Sequence, residues 1–548
     1  MTPSTTTPTA RKSAARGTRP GRVAFVGAGP GDPGLLTLRA RDLIAAADVV
    51  VTDQMHRDEL LARHARADVE VVDAGHGEHG EELTRASRAK LLVRCAKQVG
   101  EQGLVVRLMD GDPSMFNGLA EEAQALRKAD VRYDVVPGVT AVTAVPTYAG
   151  VPLTSKVATA VHVVNAAEAH RDWTPGVADH VTVVVLGMPE TLRGALAELR
   201  AAGRSPQTPV AITERGTTTG QTTMVSTLGE VDAVLHGTSV EFPALAVVGP
   251  TVAMRDELSW FETKPLFGWE VLVPRTKDQA GATIDRLATY GASAQVVPTI
   301  SVEPPRTPQQ MERAVKGLVT GRYEWVGFTS VNAVRAVREK FDEFGLDARA
   351  FSGLKIAAVG GVTAEALRAW GIVPDLVPSG EQSAGGLLAD WPEYDALLDP
   401  INRVFLPRAD IATDTLVAGL VEMGWEVDDV TAYRTVRAAP PAAEVRDAIK
   451  SGRFDAVVFT SSSTVRNLVG IAGKPHPSTV VACIGPATAK TAQEHGLRVD
   501  VLAPEASSDA LVDALAAHGL GLAAAAAEAG EPVRRPSDKK PANRRKAK

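Results

Sequence analysis

Short Val-rich runs alternate along the chain with amphipathic stretches. RVAFVGA (22–28) reads as a strand, RARDLIAAA (39–47) as a helix and DVVVTD (48–53) as the next strand. LVVRLMDGD (104–112), YDVVPG (133–138), HVTVVVLG (180–187) and PVAITERG (209–216) repeat the strand pattern. Each run is apolar almost throughout and closes on Gly, Asp or Pro, as strands do when helices cover both faces of their sheet. The pattern breaks across RDELSWFETKPLFGWE (255–270) and restarts at EVLVPRT (270–276). WVGFTS (325–330), KIAAVGG (355–361), RVFLPRAD (403–410), AVVFTSS (456–462) and VVACIGP (480–486) follow as strands.

Two internal echoes lie in this later stretch. GFTSVNAV (327–334) resembles VFTSSSTV (458–465), and AAVGGVTAEAL (357–367) resembles ACIGPATAKTA (482–492). Repeats of this kind predict two similar α/β lobes facing each other across a cleft. The 548 residues allow three or four lobes in all. The Thr-, Pro- and Arg-rich start, residues 1–20, reads as a disordered arm, and residues 519–548, ending KKPANRRKAK, as a disordered basic tail.

Composition narrows the function. Aromatic residues make up 5% and the net charge is −6. A base-stacking surface and a polyanion-attracting field are therefore both unexpected, so no nucleic-acid partner is predicted. The two cysteines, Cys95 and Cys483, lie far apart outside any CxxC, so no metal site is expected. No apolar run reaches membrane-spanning length and no secretory signal pattern is present, which predicts a cytoplasmic protein without a membrane partner.

GAGPGDPG (27–34) sits between a strand and a helix. Gly29, Gly31 and Gly34 fit the dinucleotide spacing, and Asp53 follows at a suitable distance. Pro30 and Pro33 argue against a pyrophosphate cradle, which depends on backbone N–H donors that proline lacks.

The run VGAGPGDPGLLTLRA continues into a different likeness. With DVVVTD, DGDPSMF (110–116), VVPGVTAVTAVPTYAGVPLT (135–154), PVAITERGTTTGQ (209–221) and ELSWFE (257–262), residues 22–263 resemble the uroporphyrinogen-III C-methyltransferases. The resemblance implies an S-adenosylmethionine site at Pro30, Asp110, Gly111, Asp112, Met115, Thr140, Ala141, Leu186 and Gly216, with Asp53 as catalytic acid/base. Several cationic positions of that family are changed. Gln54 replaces an Arg, Asp73-Ala74-Gly75 falls where a Lys is expected, and GLAEE (118–122) lacks its Arg. Asp110 stands where the family has Gly, Ser155-Lys156 where it has His-Arg, and Asn165-Ala166-Ala167 near its Thr-Gly-His. Such losses fall on the groups that grip a polycarboxylate substrate.

From about 268 to 518 the chain resembles uroporphyrinogen-III synthase, through VLVPRT (271–276), FTSVNAV (328–334), AVGGVTAEAL (358–367), PSGEQSAGGLL (378–388), FLPRAD (405–410), TAYRT (431–435), FTSSSTV (459–465) and CIGPATA (483–489). Cyclising a linear tetrapyrrole proceeds through an easily formed cation, so control of conformation matters more than a strong base. Arg275, Thr329, Ser330, Asn332, Thr363, Ser383, Arg408, Thr460, Ser461, Ser462 and Thr488 are candidate substrate contacts at strand ends and helix starts. Helix N-capping is the competing task for the hydroxyl residues. Tyr433 matches the family's functional tyrosine and is the candidate catalytic residue that assists departure of the substrate hydroxyl.

Together the resemblances imply an α/β protein. A two-lobed tetrapyrrole methyltransferase-like domain (21–263) leads through a linker (264–269) to a two-lobed uroporphyrinogen-III synthase-like domain (270–518) with a cleft between its lobes. They imply S-adenosylmethionine as cofactor, small-molecule tetrapyrroles as partners and a homodimer through the front domain. The competing readings are a synthase with a catalytically silent S-adenosylmethionine-binding front module and a two-lobed small-ligand binding protein.

Overall fold

The computed structural model describes residues 19–53, 57–76, 82–237 and 243–539. Gln54, most of the N-terminal arm and the last nine residues of the basic tail lie outside them. The chain divides into two compact units, one running to Trp269 and including Leu287–Ser293, the other made of Glu270–Arg286 and Ala294 onward. Each unit contains two five-stranded sheets.

In the first unit, one sheet is wholly parallel. Its order is Glu70–Asp73, Val49–Thr52, Leu104–Met109, Arg22–Gly27, Tyr133–Val136. The central strand Leu104–Met109 and its neighbour Arg22–Gly27 are buried along almost their whole length, which is why their sequences lack a polar alternation. Separate apolar clusters cover the two faces, one centred on Leu91, Leu92 and Leu126, the other on Leu43, Ile44 and Leu108. The second sheet is mixed, ordered Ala160–Asn165, Val181–Gly187, Ala244–Val248, Pro209–Glu214, Thr222–Thr227. Ala244–Val248 runs antiparallel to both of its neighbours.

The echoes of the second unit are structural repeats. Trp325–Phe328 leads through Ser330 into the helix Val331–Glu343, as Ala456–Phe459 leads through Ser461 into Ser462–Ala472. Each neighbouring strand, Lys355–Ala358 or Val480–Cys483, leads through a glycine into a helix, with Gly360 and Gly485 both fully extended. One sheet is ordered Ser293–Val296, Glu270–Val273, Ala456–Phe459, Val480–Cys483, Val501–Leu502. The other is ordered Ile300–Glu303, Glu426–Arg437, Arg403–Ala409, Trp325–Phe328, Lys355–Ala358.

Three expectations need correction. Residues 264–269 are no exposed linker: Leu266 and Trp269 are buried, and the Leu266 N–H donates to the Tyr290 carbonyl. Their apolar side chains belong to a core. The ordered chain also does not end near 518. Ser508–Glu528 is one helix, capped by Ser507, tied by Asp513 to Arg286 and burying Leu511, Val512 and Leu515. Beyond it, the Ser537 N–H donates to Asp455. That helix is also long and apolar enough by length and composition to cross a membrane, contrary to the expectation that no stretch is. Its interrupting Ser, Asp and His residues break the run without breaking the helix.

Candidate functional site

The front site arises from topology. The neighbouring strands Leu104–Met109 and Arg22–Gly27 send the chain to opposite sides of the parallel sheet. A crevice opens at the carboxyl ends of strands where the chain reverses in this way. Four glycines let the loops meet there. A Cβ on Gly138 would lie 2.1 Å from the Gly111 carbonyl oxygen, and one on Gly27 would lie 2.5 Å from the same atom. Gly111 donates to the Gly29 carbonyl at 2.9 Å and accepts in return at 3.3 Å, both residues having left-handed backbones.

A cavity of about 280 Å³ lies at this junction. Pro30, Asp110, Gly111, Asp112, Met115, Thr140, Ala141, Leu186 and Gly216 all line it, so the nine residues expected to contact a cofactor are brought together. Sequence reasoning missed other walls, among them Phe116, Asn117, Val145, Thr213, Arg215 and Leu245. Phe116 and Arg215 have φ of 63° and 49°, an uncommon conformation for residues with a Cβ and one that gathers at functional sites. Both lie inside motifs already noted, DGDPSMF and PVAITERG, but neither residue type marks a left-handed backbone. Asn117 was detectable only by its closeness to DGDPSMF. Its amide donates to the carbonyls of Asp110 and Asp112, both at 2.7 Å, and closes the loop on itself.

The cavity's two carboxylates differ. Asp112 accepts from the Gly138 N–H at 2.9 Å through one oxygen, and from the Ser114 N–H at 2.8 Å and the Ser114 hydroxyl through the other. Partial burial acts against ionisation, but these donors outweigh it and hold the carboxyl below its usual range. Asp112 therefore staples its loop to the Gly138 turn. Asp110 is exposed to the open cavity, and among the described residues no hydrogen bond reaches its carboxylate. The protein crowded around it strips hydration despite that opening. With the charge of Asp53 this pushes its pKa up to about 6, against the pull of Arg107.

Asp53 does not line the cavity. It pairs with Arg88 at 2.7 Å and Arg107 at 2.8 Å. Arg107, in the middle of the buried strand, also binds Glu122 at 3.1 Å and the Leu108 carbonyl at 3.0 Å. Burial disfavours the Asp53 anion, yet the two guanidiniums hold its pKa below the usual value. An acid/base role for Asp53 has to compete with this engagement.

In the second unit a cavity of about 260 Å³ is lined by Arg275, Thr276, Gln279, Thr299, Thr460, Ser461 and Ser508, among others. Of the eleven expected substrate contacts, Arg275, Thr460 and Ser461 are brought together here. Arg275 donates to the Ser508 hydroxyl at 3.1 Å. Among the described residues it has no carboxylate partner, and burial lowers its pKa. Thr329, Ser330 and Asn332 gather at the other repeated junction, where the Ser330 and Tyr433 hydroxyls are 2.9 Å apart.

The rest are occupied elsewhere. Arg408 is buried in a two-pronged pair with Asp429 and also donates to the Thr413 carbonyl, so it is not available to substrate acids. Thr363 and Thr488 are buried inside their helices. Ser383 caps a helix by accepting from Gly386, and Ser462 donates to the Ala487 carbonyl.

The comparisons agree with this division. Residues 22–232 match the family model of Tetrapyrrole (Corrin/Porphyrin) Methylases, and residues 281–513 that of Uroporphyrinogen-III synthase HemD. The porphyrin biosynthesis protein HemD of Ruminiclostridium josui is 31% identical over 517 residues, which is 91% of this chain and 99% of that protein. The chain belongs to the family of the porphyrin biosynthesis protein HemD. Its front unit is 37% identical over 245 residues to an S-adenosyl-L-methionine-dependent uroporphyrinogen III methyltransferase of Methanosarcina barkeri, covering 43% of this chain and 94% of that protein. A crystal structure of uroporphyrin-III C-methyl transferase from Thermus thermophilus complexed with S-adenyl homocysteine is 34% identical and covers 42% of this chain and 93% of that one, at a TM-score of 0.36. As a HemD-family member, the chain thus joins a methylase-family stretch and a synthase-family stretch in one polypeptide.

Proposed function

We propose that the second unit closes hydroxymethylbilane to uroporphyrinogen III and that the first methylates this product toward precorrin-2 with S-adenosylmethionine. The observation that carries the reading is the front cavity, on which nine expected residues from five separate stretches of chain converge. Its lining suits the cofactor. Met115, Phe116, Val145, Leu186 and Leu245 offer an apolar bed for a flat heterocycle, and Asp112, held ionised, supplies negative charge for a sulfonium. The bound cofactor supplies an electrophilic methyl group. The chain's residues hold the loops, exclude water and place the acceptor. In the second unit Arg275 is offered to a substrate carboxylate, and Tyr433 to the departing hydroxyl. The family's usual dimer through the front unit belongs to the same proposal, and light scattering on the intact chain checks it.

A second reading, a synthase with a silent front module, is favoured by one observation: Asp53 is held by two arginines. The chain is incubated with hydroxymethylbilane, with and without S-adenosylmethionine. Uroporphyrinogen III alone without the cofactor, and methylated product with it, is the expected outcome. The type III isomer without methylation selects the second reading. Only the type I isomer, which forms without an enzyme, refutes the synthase assignment.

A further inference from the structure

The front reaction has a proton to dispose of, and the structure narrows where it can go. A pyrrole carbon that gains a methyl group forms one C–C bond as the sulfonium C–S bond breaks, and the thioether leaves with that electron pair. The methylated ring is cationic until it loses one proton, so a base has to stand beside it. Among the described residues lining the cavity, only Asp110 and Asp112 are carboxylates, and there is no histidine, lysine or tyrosine. Both oxygens of Asp112 are committed to Gly138 and Ser114. Asp53 is not among the lining residues and is paired with Arg88 and Arg107. Asp110 alone combines a place in the lining, an exposed side chain and a carboxylate without a hydrogen-bond partner among the described residues.

Size adds a second argument. A cavity of about 280 Å³ is small for a ligand site, and the cofactor proposed above occupies it. The acceptor ring has to approach from the open side, where Asp110 is exposed.

We propose that Asp110 is the base that accepts the proton released on methylation; this rests on the methyltransferase reading above. The charged groups around it are Asp53 and Arg107, with Arg88 and Glu122 behind them, Asp112 in its own loop and Arg215 elsewhere in the lining. Its raised pKa places the change from idle acid to working base near neutrality, and a general base works best with a pKa close to the operating pH. The ionised form is the active one, so the rate rises as pH climbs through about 6.

The test uses the intact chain and measures single-turnover methylation of uroporphyrinogen III, from pH 5 to 8 (~). Asp110→Asn is expected to lower the rate about 10²-fold or more and to abolish the acid limb, and Asp110→Glu to recover most of the rate. Calorimetry with S-adenosylhomocysteine, in buffers of different ionisation enthalpy, gives a readout independent of turnover. Covering Asp110 should draw in protons near its midpoint in the wild type but not in Asp110→Asn. An unchanged rate and acid limb in Asp110→Asn overturn the inference while leaving the methyltransferase reading intact. So does an unchanged pH profile with weakened binding of S-adenosylmethionine but not of S-adenosylhomocysteine, which would make Asp110 a partner of the sulfonium. A wild-type chain that methylates at no pH overturns both.

Discussion

Arg107→Met is the sharpest test of how the front unit is held together. Arg107 and Glu122 are each 1% exposed, and the guanidinium bridges Glu122 to the partly exposed Asp53. Methionine fills similar space but leaves Glu122 as an unpaired carboxylate in the core. Removing one partner of a buried pair costs about 3–5 kcal/mol. At about 2–4 °C per kcal/mol for a unit of this size, melting should fall by about 6–20 °C. The penalty should depend on pH. Burial already raises the pKa of Glu122 against the pull of Arg107, and removing Arg107 raises it further. Where the folded pKa exceeds the unfolded one, the folded state binds more protons, so stability falls as pH rises between the two values. The deficit should therefore be larger at alkaline than at mildly acidic pH. Replacing both residues, Arg107→Met with Glu122→Leu, should recover much of the loss, because an apolar pair needs no compensation. Hydrogen exchange of residues 104–128 in the intact chain reads this unit separately from the other. A loss below about 1 kcal/mol, the ordinary size for a point substitution, or one that does not change with pH, would refute the reasoning. Arg107 also pulls the Asp110 pKa down, so the acid limb of methylation should move to higher pH in Arg107→Met.

Other substitutions address the remaining sites. Asp112→Ala should weaken S-adenosylhomocysteine binding by freeing the Ser114 and Gly138 donors, and Asp112→Asn should weaken it less; calorimetry that finds the two alike argues against the staple. Arg275→Gln should lower kcat/KM for hydroxymethylbilane about 10–100-fold, the worth of one charge-assisted hydrogen bond of about 1.5–3 kcal/mol, and an unchanged value would remove Arg275 from the substrate site. Tyr433→Phe should slow ring closure by about 10²-fold if the hydroxyl acts as an acid, while loss of the Ser330 contact alone should cost about 1 kcal/mol of stability and no rate.

Much of the front site was legible because it is built from backbone chemistry. Gly27, Gly29, Gly111 and Gly138 sit where a Cβ would collide or where φ is positive, so their positions in the sequence report directly on loop geometry. What the sequence did not show is convergence across distance. Arg88 and Arg107 stand 35 and 54 residues beyond Asp53, and nothing local predicts that all three meet. A charged residue inside LVVRLM is nonetheless an anomaly that a buried partner has to explain. Phe116 and Arg215 lie inside quoted motifs, but their left-handed backbones do not follow from their residue types.

The second unit was harder to read for two physical reasons. Half-exposed edge strands such as Ser293–Val296 and Ile300–Glu303 lack the unbroken apolar run of a central strand, so the apolar pattern does not mark them. The hydroxyl residues at strand-to-helix junctions are ambiguous by nature, because the atom that caps a helix is the atom that could bind a carboxylate. Ser330, Ser383 and Ser461 all accept helix N–H groups. Capping does not exhaust a hydroxyl, however, because its proton stays available. At one junction Ser330 meets Tyr433, and at the repeated one Ser461 meets Ser463 in a cavity shared with Arg275. Two copies of one strand–serine–helix frame thus present different chemistry, a phenol at one and a guanidinium at the other. Identical caps cannot distinguish the ends of an asymmetric linear substrate. On the proposed synthase reading, the residues that each cap meets are what tell those ends apart.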